Sequence, residues 1–323
     1  MNGYPYALKD IRERLTKMRY DLANTVENLI KQYVIFDNDL EATAVTLWVF
    51  GTYLMDKWQL WPKLYIYSPE RECGKTRLLS VVEALSKDGQ MASNISLSAL
   101  NRIIDSKRPT LCIDEADLFL RKSDELNGVI NAGHTRRTAI RLISDKNSKG
   151  HWEAKEFSLW GPQAIAGIGT QSDTLMSRSI KIQLRRKFQN ETVSPFPFDF
   201  FDNCEDIRKN LLSWANKFQM KSLSKILLPQ GGSDRAKDNW GPLFLIAQQL
   251  AEDWPHKVND AFKTVEVQQQ TKDTLSIGLE LLSDIGEKLK SWDKSEIPSK
   301  ILLLKLLNDE ELDWSRYDFG RPI

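Results

Sequence analysis

Short apolar runs alternate with helical segments between residues 63 and 184, and this alternation constrains the fold more than any other feature of the sequence. A helical stretch lies at 76–87, and the apolar runs lie at 63–67, 109–114, 139–144, 156–160, 163–169 and 179–184. Strands joined by crossover helices form a largely parallel sheet covered by helices. We therefore predict an α/β fold whose core has three layers, αβα.

Helical patterns flank this core on both sides. Apolar residues recur at three- and four-residue steps from Tyr6 to Lys31, and a second helix is expected from 37–39 to just before Trp61. After the linker at 194–201 the pattern is helical throughout, at 203–224, 235–253, 256–290 and 296–314. The predicted parts are an N-terminal helical segment (1–60), the core (61–200), an all-helical C-terminal lid (201–290) and a partial C-terminal helical module (291–323).

The charge balance excludes a global electrostatic attraction to nucleic acid. The chain has 45 Lys and Arg against 44 Asp and Glu, so any such binding must come from a local patch. Its three cysteines and three histidines are scattered, without the spacing of a disulfide framework or a zinc site. No apolar stretch approaches the ~18 residues of a membrane span. We expect a cytoplasmic protein without membrane contact.

The stretch SPERECGKT at 68–76 matches most of the phosphate-binding pattern G-x-x-x-x-G-K-[ST], with Ser68 in place of the first glycine. It follows an apolar run and opens a helix, whose free N–H groups and dipole favour phosphate. Lys75 would reach the β and γ oxygens of ATP, and the Thr76 hydroxyl would bind Mg²⁺. The expected nucleotide-binding residues are Ser68, Pro69, Glu70, Arg71, Glu72, Cys73, Gly74, Lys75, Thr76 and Arg77.

A pair of carboxylates ends the apolar run in TLCIDEAD. Open α/β sheets bind ligands at the carboxyl ends of their strands, where Asp114 and Glu115 are expected. Asp114 would orient Mg²⁺ through water, and Glu115 would polarise the attacking water. The alternative for both motifs is a helix cap at Thr76 and a solvated acidic turn at 114–117.

Three further residues are candidates for contact with the nucleotide. Thr170 ends an apolar run, where a polar residue in ring ATPases helps to position the lytic water; a plain turn is the alternative. Arg178 would act as an arginine finger on a neighbouring subunit's γ-phosphate; the alternative is that it forms a surface salt bridge. Arg235 would touch the nucleotide from the lid, or would merely be solvated beside a helix cap at Ser233 or Asp234. Arg185 and Arg186 are the reserve candidates for the finger.

A local basic cluster is the candidate for nucleic-acid contact. His134, Arg136, Arg137 and Arg141 lie close together in LNGVINAGHTRRTAIR, and the turn KNSKGHWEAK adds cations and Trp152. Such residues would contact phosphates and bases of DNA or RNA. The alternative is that both segments are solvated loops.

Several of these segments together resemble a known family. SPERECGKTRLL, LCIDEAD, VINAGHTRR, AIAGIG, LMSRSIKIQLRR and DRAKDNWGPLFLIAQ are similar to an uncharacterised family of P-loop ATPase domains in primase- and helicase-related proteins of phages, plasmids and integrated elements. The similarity runs from about Thr43 to the C-terminus, and family members often have serine where this chain has Ser68. It implies an ASCE-type P-loop NTPase close to the AAA+ group, with ATP and Mg²⁺ as cofactors. It also implies that the chain ends within a small helical module.

Two classes of function fit these features. The first is a nucleic-acid motor or helicase-like ATPase of a mobile element or phage, assembled as a homo-oligomeric ring such as a hexamer, with single- or double-stranded DNA as its partner. The second is an ATPase switch or remodeller that acts on a protein partner, for example in anti-phage defence. A small-molecule kinase is a weaker alternative, because adjacent carboxylates suit water activation better than transfer to a bound acceptor.

Overall fold

A computed structural model describes residues 21–93, 95–120, 123–146, 150–220, 231–250, 253–290, 292, 296–309 and 314. The chain divides into two compact units, Met1–Val267 and Gln268–Ile323. The first unit contains the sheet and the helices around it. Two helices are described in the second.

The first unit is built on a five-stranded sheet in which every neighbouring pair is parallel. Seven strands are described: β1 (Lys63–Ser68), β2 (Gly89–Ala92), β3 (Thr110–Ile113), β4 (Ile140–Lys146), β5 (Trp152–Ser158), β6 (Gln163–Ile168) and β7 (Ser179–Gln183). The sheet has the order β2-β3-β6-β1-β7, and β4 and β5 form a separate antiparallel hairpin. The predicted α/β class with a largely parallel sheet is therefore confirmed, and the layering is compatible with a three-layer core.

Strand β1 lies inside the sheet between β6 and β7 and is buried along its whole length. Its apolar run KLYIYS is typical of a parallel strand covered on both faces. The register pairs Ser68 with Ile168 and Tyr67 with Gln183, so the carboxyl ends of the three strands meet at one edge. Strand β3 joins the same edge, since its Ile113 pairs with Ile165.

Helices surround this sheet. The described helices of the first unit are α1 (21–33), α2 (Leu40–Thr52), α3 (Lys75–Leu85), α4 (Leu97–Lys107), α5 (Ala116–Leu120), α6 (Asp124–Ala132), α7 (Asp173–Met176), α8 (Phe200–Asn203), α9 (Glu205–Asn216), α10 (Asp234–Ala247) and α11 (Trp254–Phe262). Helix α3 packs against β1, β2, β3 and β6, and α5 packs against β6. Helix α2 packs against α10 and α11, so the N-terminal helical segment and the later helices share one core.

The predicted helices differ from the observed ones mainly at their ends. The helix expected at 203–224 is α8 and α9, which end at Asn216, and its last residues lie among 221–230, outside the described part of the chain. The stripe predicted from Tyr6 is described only from residue 21 onward. The helix predicted at 256–290 is interrupted by a π-helical turn at Lys263–Gln268.

The second unit contains α12 (Gln269–Lys290) and α13 (Ser299–Leu307), which pack against each other. The Trp314 indole donates to Asp284 Oδ2 at 2.7 Å, and Lys288 pairs with Asp309. The predicted boundaries follow changes in the sequence pattern, whereas the two units are defined by how compactly their residues pack. The predicted boundaries therefore stay predictions. Among the described helices, none is long and apolar enough to cross a membrane.

Candidate functional site

The loop between β1 and α3 has the backbone shape of an anion cradle. Gly74 caps α3 in the left-handed region at φ 86°, and Glu72 is also left-handed at φ 63°. A Cβ added at Gly74 would meet no atom within 4 Å, so glycine is required here by the backbone angle and the space above the loop stays open. The first N–H groups of α3 face this space without intrahelical partners.

Ser68 holds the amine of Lys75 in the loop. Lys75 Nζ donates to Ser68 Oγ at 2.6 Å and to the carbonyl oxygen of Glu70 at 3.0 Å. The Ser68 hydroxyl in turn donates to the same carbonyl at 2.5 Å. Ser68 is fully buried, so this arrangement is fixed. The sequence pattern identified Ser68 only as a replacement for the first glycine, and its hydrogen bond to Lys75 was missed.

The other residues of the predicted loop differ in exposure. Thr76 and Glu70 are exposed, whereas Cys73 is buried with its Sγ 3.5 Å from the Arg71 carbonyl oxygen. Arg77 points to the linker, where its guanidinium donates to the Ser194 carbonyl at 3.5 Å and lies over the Phe196 ring. Lys75 is therefore held by oxygens of the loop itself, whereas Arg77 is held by the linker.

The turn after β6 is tied to this loop. The Gly169 N–H donates to the Ser68 carbonyl oxygen at 3.0 Å, and the Tyr65 hydroxyl donates to the Gly169 carbonyl oxygen at 3.0 Å. Thr170 follows directly and is exposed. Thr170 thus leaves the sheet beside the loop between β1 and α3.

The two predicted carboxylates end β3 at the same edge. Asp114 is half-buried, and its Oδ1 accepts the Glu115 N–H at 2.9 Å. Glu115 is exposed and left-handed at φ 52°, an uncommon conformation for a residue other than glycine. Strained backbone of this kind often lies at functional sites. The conformation of Glu115 is therefore consistent with a functional role at this edge.

Asp117 is a third carboxylate that the sequence did not single out. Its Oδ1 accepts the Ile168 N–H at 3.0 Å and joins the start of α5 to the end of β6. Gly167 makes room for it, because an added Cβ would lie 3.1 Å from Asp117 Oδ1 and from the Tyr65 hydroxyl. The signal was present as the last acid of LCIDEAD, one helical turn after Asp114.

A cavity of about 400 Å³ lies over the loop. Its walls combine Gly74, Lys75 and Thr76 with the end of α1 and with residues that follow β7. The lining residues that the sequence did not predict are Tyr33, Val34, Ile35, Lys187 and Val193. This volume lies in the range of small-molecule pockets, and the lining combines apolar surface with cations.

Arg185 and Arg186 lie at this carboxyl edge, since β7 ends beside the loop. The Arg186 guanidinium donates to the Arg71 carbonyl oxygen at 3.2 Å and lies 3.2 Å from Glu70 Oε2 and 3.8 Å from Glu72 Oε2. Arg185 forms a bidentate pair with Glu191, at 2.7 Å for both bonds. This pair lowers the pKa of Glu191 to about 2.

Arg178 and Arg235 lie at the opposite, amino edge of the sheet. The Arg178 carbonyl accepts the Lys63 N–H at the start of β1, about 17 Å from the loop at ~3.3 Å per strand residue. The Arg178 guanidinium donates to the Thr174 carbonyl at 3.0 Å, and that of Arg235 donates to Ser177 Oγ at 3.4 Å. The structure therefore does not bring Arg235 to the loop at 68–76 of its own chain, because its partner Ser177 precedes the start of β7.

The helix cap given above as the alternative for Arg235 is present at the start of α10, at Ser233. Ser233 Oγ accepts the Ala236 N–H at 3.2 Å. Arg235, two residues after Ser233, is exposed and lines the cavity described next.

A second cavity, of about 420 Å³, lies at this amino edge and is lined by His134, Arg178, Arg235 and Asp238 among others. Burial and then the charge of Arg235 lower the pKa of Arg178. Lys63 is 2% exposed, and burial followed by the charge of Arg178 lowers its pKa to about 7. The cations at this edge therefore destabilise one another.

His134 is an interior residue. Its Nε2 lies 2.8 Å from Asn239 Oδ1, and Asn239 Nδ2 donates to the Ser177 carbonyl at 3.0 Å. Burial lowers the pKa of His134 to about 4, so its ring is neutral at pH 7. The buried position does not suit the predicted contact with nucleic acid.

The neighbouring arginines differ from each other. Arg136 is half-buried and donates to the Asp56 carbonyl at 2.8 Å, whereas Arg137 is exposed. Trp152 on the hairpin is 70% exposed. Lys149 of the predicted hairpin tip lies outside the described residues.

Residues of the motif DNWGPL in α10 form hydrogen bonds to other segments in the interior of the first unit. Asn239 bonds to two other segments, as described above. Trp240 is fully buried, and its indole donates to Glu266 Oε1 at 3.0 Å. Glu266 also pairs with Lys181 of β7 at 3.5 Å. Trp240 therefore belongs to the hydrophobic core.

Comparisons with known proteins found one family model and one relative. Residues 183–322, less than half of the chain, match a family model described as a protein of unknown function, DUF3631. An uncharacterised 28.9 kDa protein in xis 5'region of Saccharopolyspora erythraea is 27% identical over 135 residues, or 42% of this chain and 50% of the relative. The chain thus spans about half the length of this relative. The family match includes Arg235 but neither the loop at 68–76 nor Asp114 and Glu115.

Proposed function

We propose that this protein is an AAA+-like ATPase of the ASCE type that binds ATP with Mg²⁺ and hydrolyses it. The observation that carries the proposal is the convergence of three strand ends at one edge of the sheet. These ends bear the loop with Lys75, the pair Asp114 and Glu115, and the exposed Thr170. Ligands of parallel α/β sheets bind at such an edge.

The strand order supports the ASCE type. Strand β6 lies between β1 and β3, so the loop and the acidic pair are separated by one strand. The turn after β6 is bonded to Ser68, which brings Thr170 between the two motifs. A polar group in that position is suited to orient a water molecule for attack on the terminal phosphate.

The residues of the loop fit a nucleotide polyphosphate. The left-handed Gly74 opens the backbone, the N-terminus of α3 offers N–H groups, and the Lys75 amine lies below them. The adjoining cavity has room for further parts of the nucleotide beside Val34 and Ile35. Lys75 would exchange its present oxygen partners for phosphate oxygens.

The carboxylates and Thr76 fit a magnesium ion that arrives with the nucleotide. Mg²⁺ keeps several waters and binds one or two protein oxygens together with substrate phosphates. Among the described residues, no group of three or more His, Cys, Asp or Glu side chains is arranged to hold a metal without such a ligand. Thr76 would supply one oxygen, Asp114 would bind through water, and Glu115 would accept a proton from the attacking water.

The placement of Arg178 supports action between copies of the chain. Arg178 and Arg235 are too far from the loop of their own chain to reach its nucleotide. In a homo-oligomeric ring, the amino edge of one copy would face the nucleotide of the next, and Arg178 would then stabilise the γ-phosphate in trans. We extend this role to Arg235, which shares the cavity with Arg178.

Hydrolysis would drive a motor acting on nucleic acid. The exposed Arg137 and the exposed Trp152 on the hairpin supply a phosphate contact and a stacking surface. A second candidate is remodelling of a protein partner. Ile140 and Leu142 on β4 are 52% and 65% exposed and favour a protein contact instead.

The test is the ATP turnover rate of the purified protein alone and with single-stranded DNA, double-stranded DNA or RNA, together with the particle mass in a non-hydrolysable ATP analogue. We expect assembly with the analogue and stimulation by single-stranded DNA that is lost in Arg137→Glu. Glu115→Gln should bind ATP but hydrolyse it about 10²-fold or more slowly, because a general base contributes that much. Hydrolysis at the normal rate in this variant would contradict the role of Glu115. Turnover that ignores nucleic acid and is sensitive to Leu142→Asp would favour the protein-remodelling alternative.

A further inference from the structure

A third cavity lies between α4 and the hairpin of β4 and β5, away from the phosphate-binding loop. Its volume is about 260 Å³. Its lining combines the polar and charged residues Ser98, Asn101, Arg102, Arg141 and Ser144 with the apolar residues Leu97, Ile143 and Phe157. Neither the predicted nucleotide site nor the amino-edge cavity shares any of these residues.

Asn101 is the most informative residue of this lining. It is only 2% exposed, and its Oδ1 accepts no hydrogen bond from the described residues. Buried side-chain oxygens of this kind are nearly always paired in folded proteins, because an unpaired acceptor keeps the cost of its lost hydration. Asn101 lines the cavity, so a ligand that carries an N–H or O–H donor would pair this oxygen once the amide turns toward the cavity.

Two arginines add a preference for negative charge. Arg102 is exposed on the turn of α4 that carries Asn101, and Arg141 reaches the cavity from β4. The contact between Arg141 and Glu125 is long, at 3.9 Å, and leaves the guanidinium able to bind a second anion. The fork of N–H groups on each arginine matches the oxygens of phosphate. The serine hydroxyls of Ser98 and Ser144 are further donors.

We propose that this cavity binds one nucleoside phosphate unit, either as a free mononucleotide or as one residue of a nucleic-acid single strand. The Asn101 amide would bond to the edge of the base, as asparagine does in base recognition, and Arg102 and Arg141 would bind the phosphate at the mouth. The buried Phe157 forms part of the apolar floor. A volume of about 260 Å³ is slightly below that of pockets enclosing whole drug-sized ligands, which suits one base with its phosphate near solvent.

This site goes beyond the proposed ATPase function and does not depend on ATP hydrolysis. Where the bound unit belongs to a single strand, the site also explains how the nucleic-acid partner is held. Binding is therefore measured in Lys75→Ala protein, from which the proposed ATP site has been removed. If the Lys75→Ala protein binds no probe, the ATPase proposal is unaffected. If the protein has no ATPase activity, the binding measurement can still be interpreted.

Calorimetry measures the binding of AMP and dTMP. Fluorescence anisotropy measures the binding of a labelled oligothymidylate and of an abasic strand of equal length. Both strands are about 20 nucleotides long, which exceeds the site size of a typical single-strand binding module. Each probe is tested against Asn101→Leu, Arg102→Ala and the control Lys107→Ala, which removes a cation from the same helix outside the cavity. We expect binding about tenfold weaker in Asn101→Leu and Arg102→Ala, the effect of one buried or charged hydrogen bond, and unchanged in Lys107→Ala. Mononucleotide binding indicates a free ligand, and binding of the oligonucleotide alone indicates a strand.

The stability of Asn101→Leu separates ligand binding from folding. Leucine is similar in size and removes the unpaired oxygen, so the melting temperature without ligand should stay the same or rise while binding falls. The proposal is overturned if no probe binds, if the abasic strand binds as well as the intact one, or if Lys107→Ala weakens binding as much as Arg102→Ala. It is also overturned if Asn101→Leu keeps full binding or loses binding only because its melting temperature falls.

Discussion

The two edges of the sheet carry similar numbers of cations but satisfy them differently. At the carboxyl edge, Lys75 is bonded to Ser68 and Glu70, and Arg185 and Arg186 are paired with carboxylates. At the amino edge, Lys63 and Arg235 each adjoin Arg178 closely enough to repel its charge. The guanidinium groups of Arg178 and Arg235 donate to a carbonyl and a hydroxyl, which are neutral oxygens.

This difference indicates how each edge would meet a phosphate. The carboxyl edge holds its cations in place through its own chain, so it is prepared for a ligand that exchanges one set of oxygens for another. The amino edge accumulates positive charge, and a negative group brought by another molecule would relieve this repulsion. The comparison therefore favours binding at one edge and action in trans at the other.

The largest expected effect is at the carboxyl edge. Lys75→Ala should weaken ATP binding by about 3 kcal/mol or more, because it removes a charged donor from a partly buried site. Calorimetry with ATP and Mg²⁺ measures this loss. Lys87→Ala, which removes an exposed lysine beyond the other end of α3, is the matched control and should bind normally. Equal affinity in the two variants would remove Lys75 from the site.

A smaller effect is expected from the amino edge, and only in the assembled protein. Arg178→Ala should slow hydrolysis about 10³-fold in the oligomer, as expected for an arginine that stabilises the transferred phosphoryl group. The rate is measured below and above the concentration at which the particle assembles. If dilute monomers lose as much activity as oligomers do, Arg178 does not act in trans.

The amino edge should also show a dependence of stability on pH. Burial lowers the pKa of His134 to about 4, whereas an unfolded histidine titrates near ~6.5, so the unfolded state binds more protons between these values. The free energy of unfolding should therefore fall by about 1–2 kcal/mol between about pH 7.5 and pH 5. Urea unfolding at the two pH values measures this loss. His134→Gln should remove this part of the pH dependence, and the control His256→Gln, at an exposed position, should retain it.

The smallest effect is expected from Arg186, because its ion pairs are exposed. Arg186→Ala leaves Glu70 and Glu72 without their cation beside the loop, so nucleotide should bind about two- to fivefold more weakly, and the change should diminish at high salt. Lys209→Ala breaks a comparable exposed pair on α9 and should have no effect. A loss as large as that of Lys75→Ala would mean that Arg186 contacts the nucleotide itself.

Local patterns predicted the parts of the fold that depend on neighbouring residues. The apolar runs at 63–67 and 109–114 are strands, and the loop and acidic pair lie at their ends as expected. Strand β2 was missed because GQMA is four residues long, begins with glycine and is only partly buried. Its position next to β3 is fixed by the sheet rather than by its own sequence.

The edge on which each arginine lies could not be predicted in the same way. Arg178 and Arg186 flank the same strand, so their separation follows once β7 is known to run parallel to β1. The location of Arg235 depends on how α10 packs, and residues 33–35 reach the cavity from a distant segment. These placements depend on contacts between distant segments, which no short sequence pattern records.

The hydroxyl of Ser68 has a consequence for selectivity. Because it engages the Lys75 amine, the loop acts as an internal competitor for the position that a phosphate oxygen would take. A weakly bound anion would not displace these hydrogen bonds, whereas a polyphosphate with several contacts would. The apparent association constant then equals the intrinsic one multiplied by the fraction of molecules in which the amine is free. Ser68→Gly would remove one of these hydrogen bonds, so simple anions should bind the loop more readily.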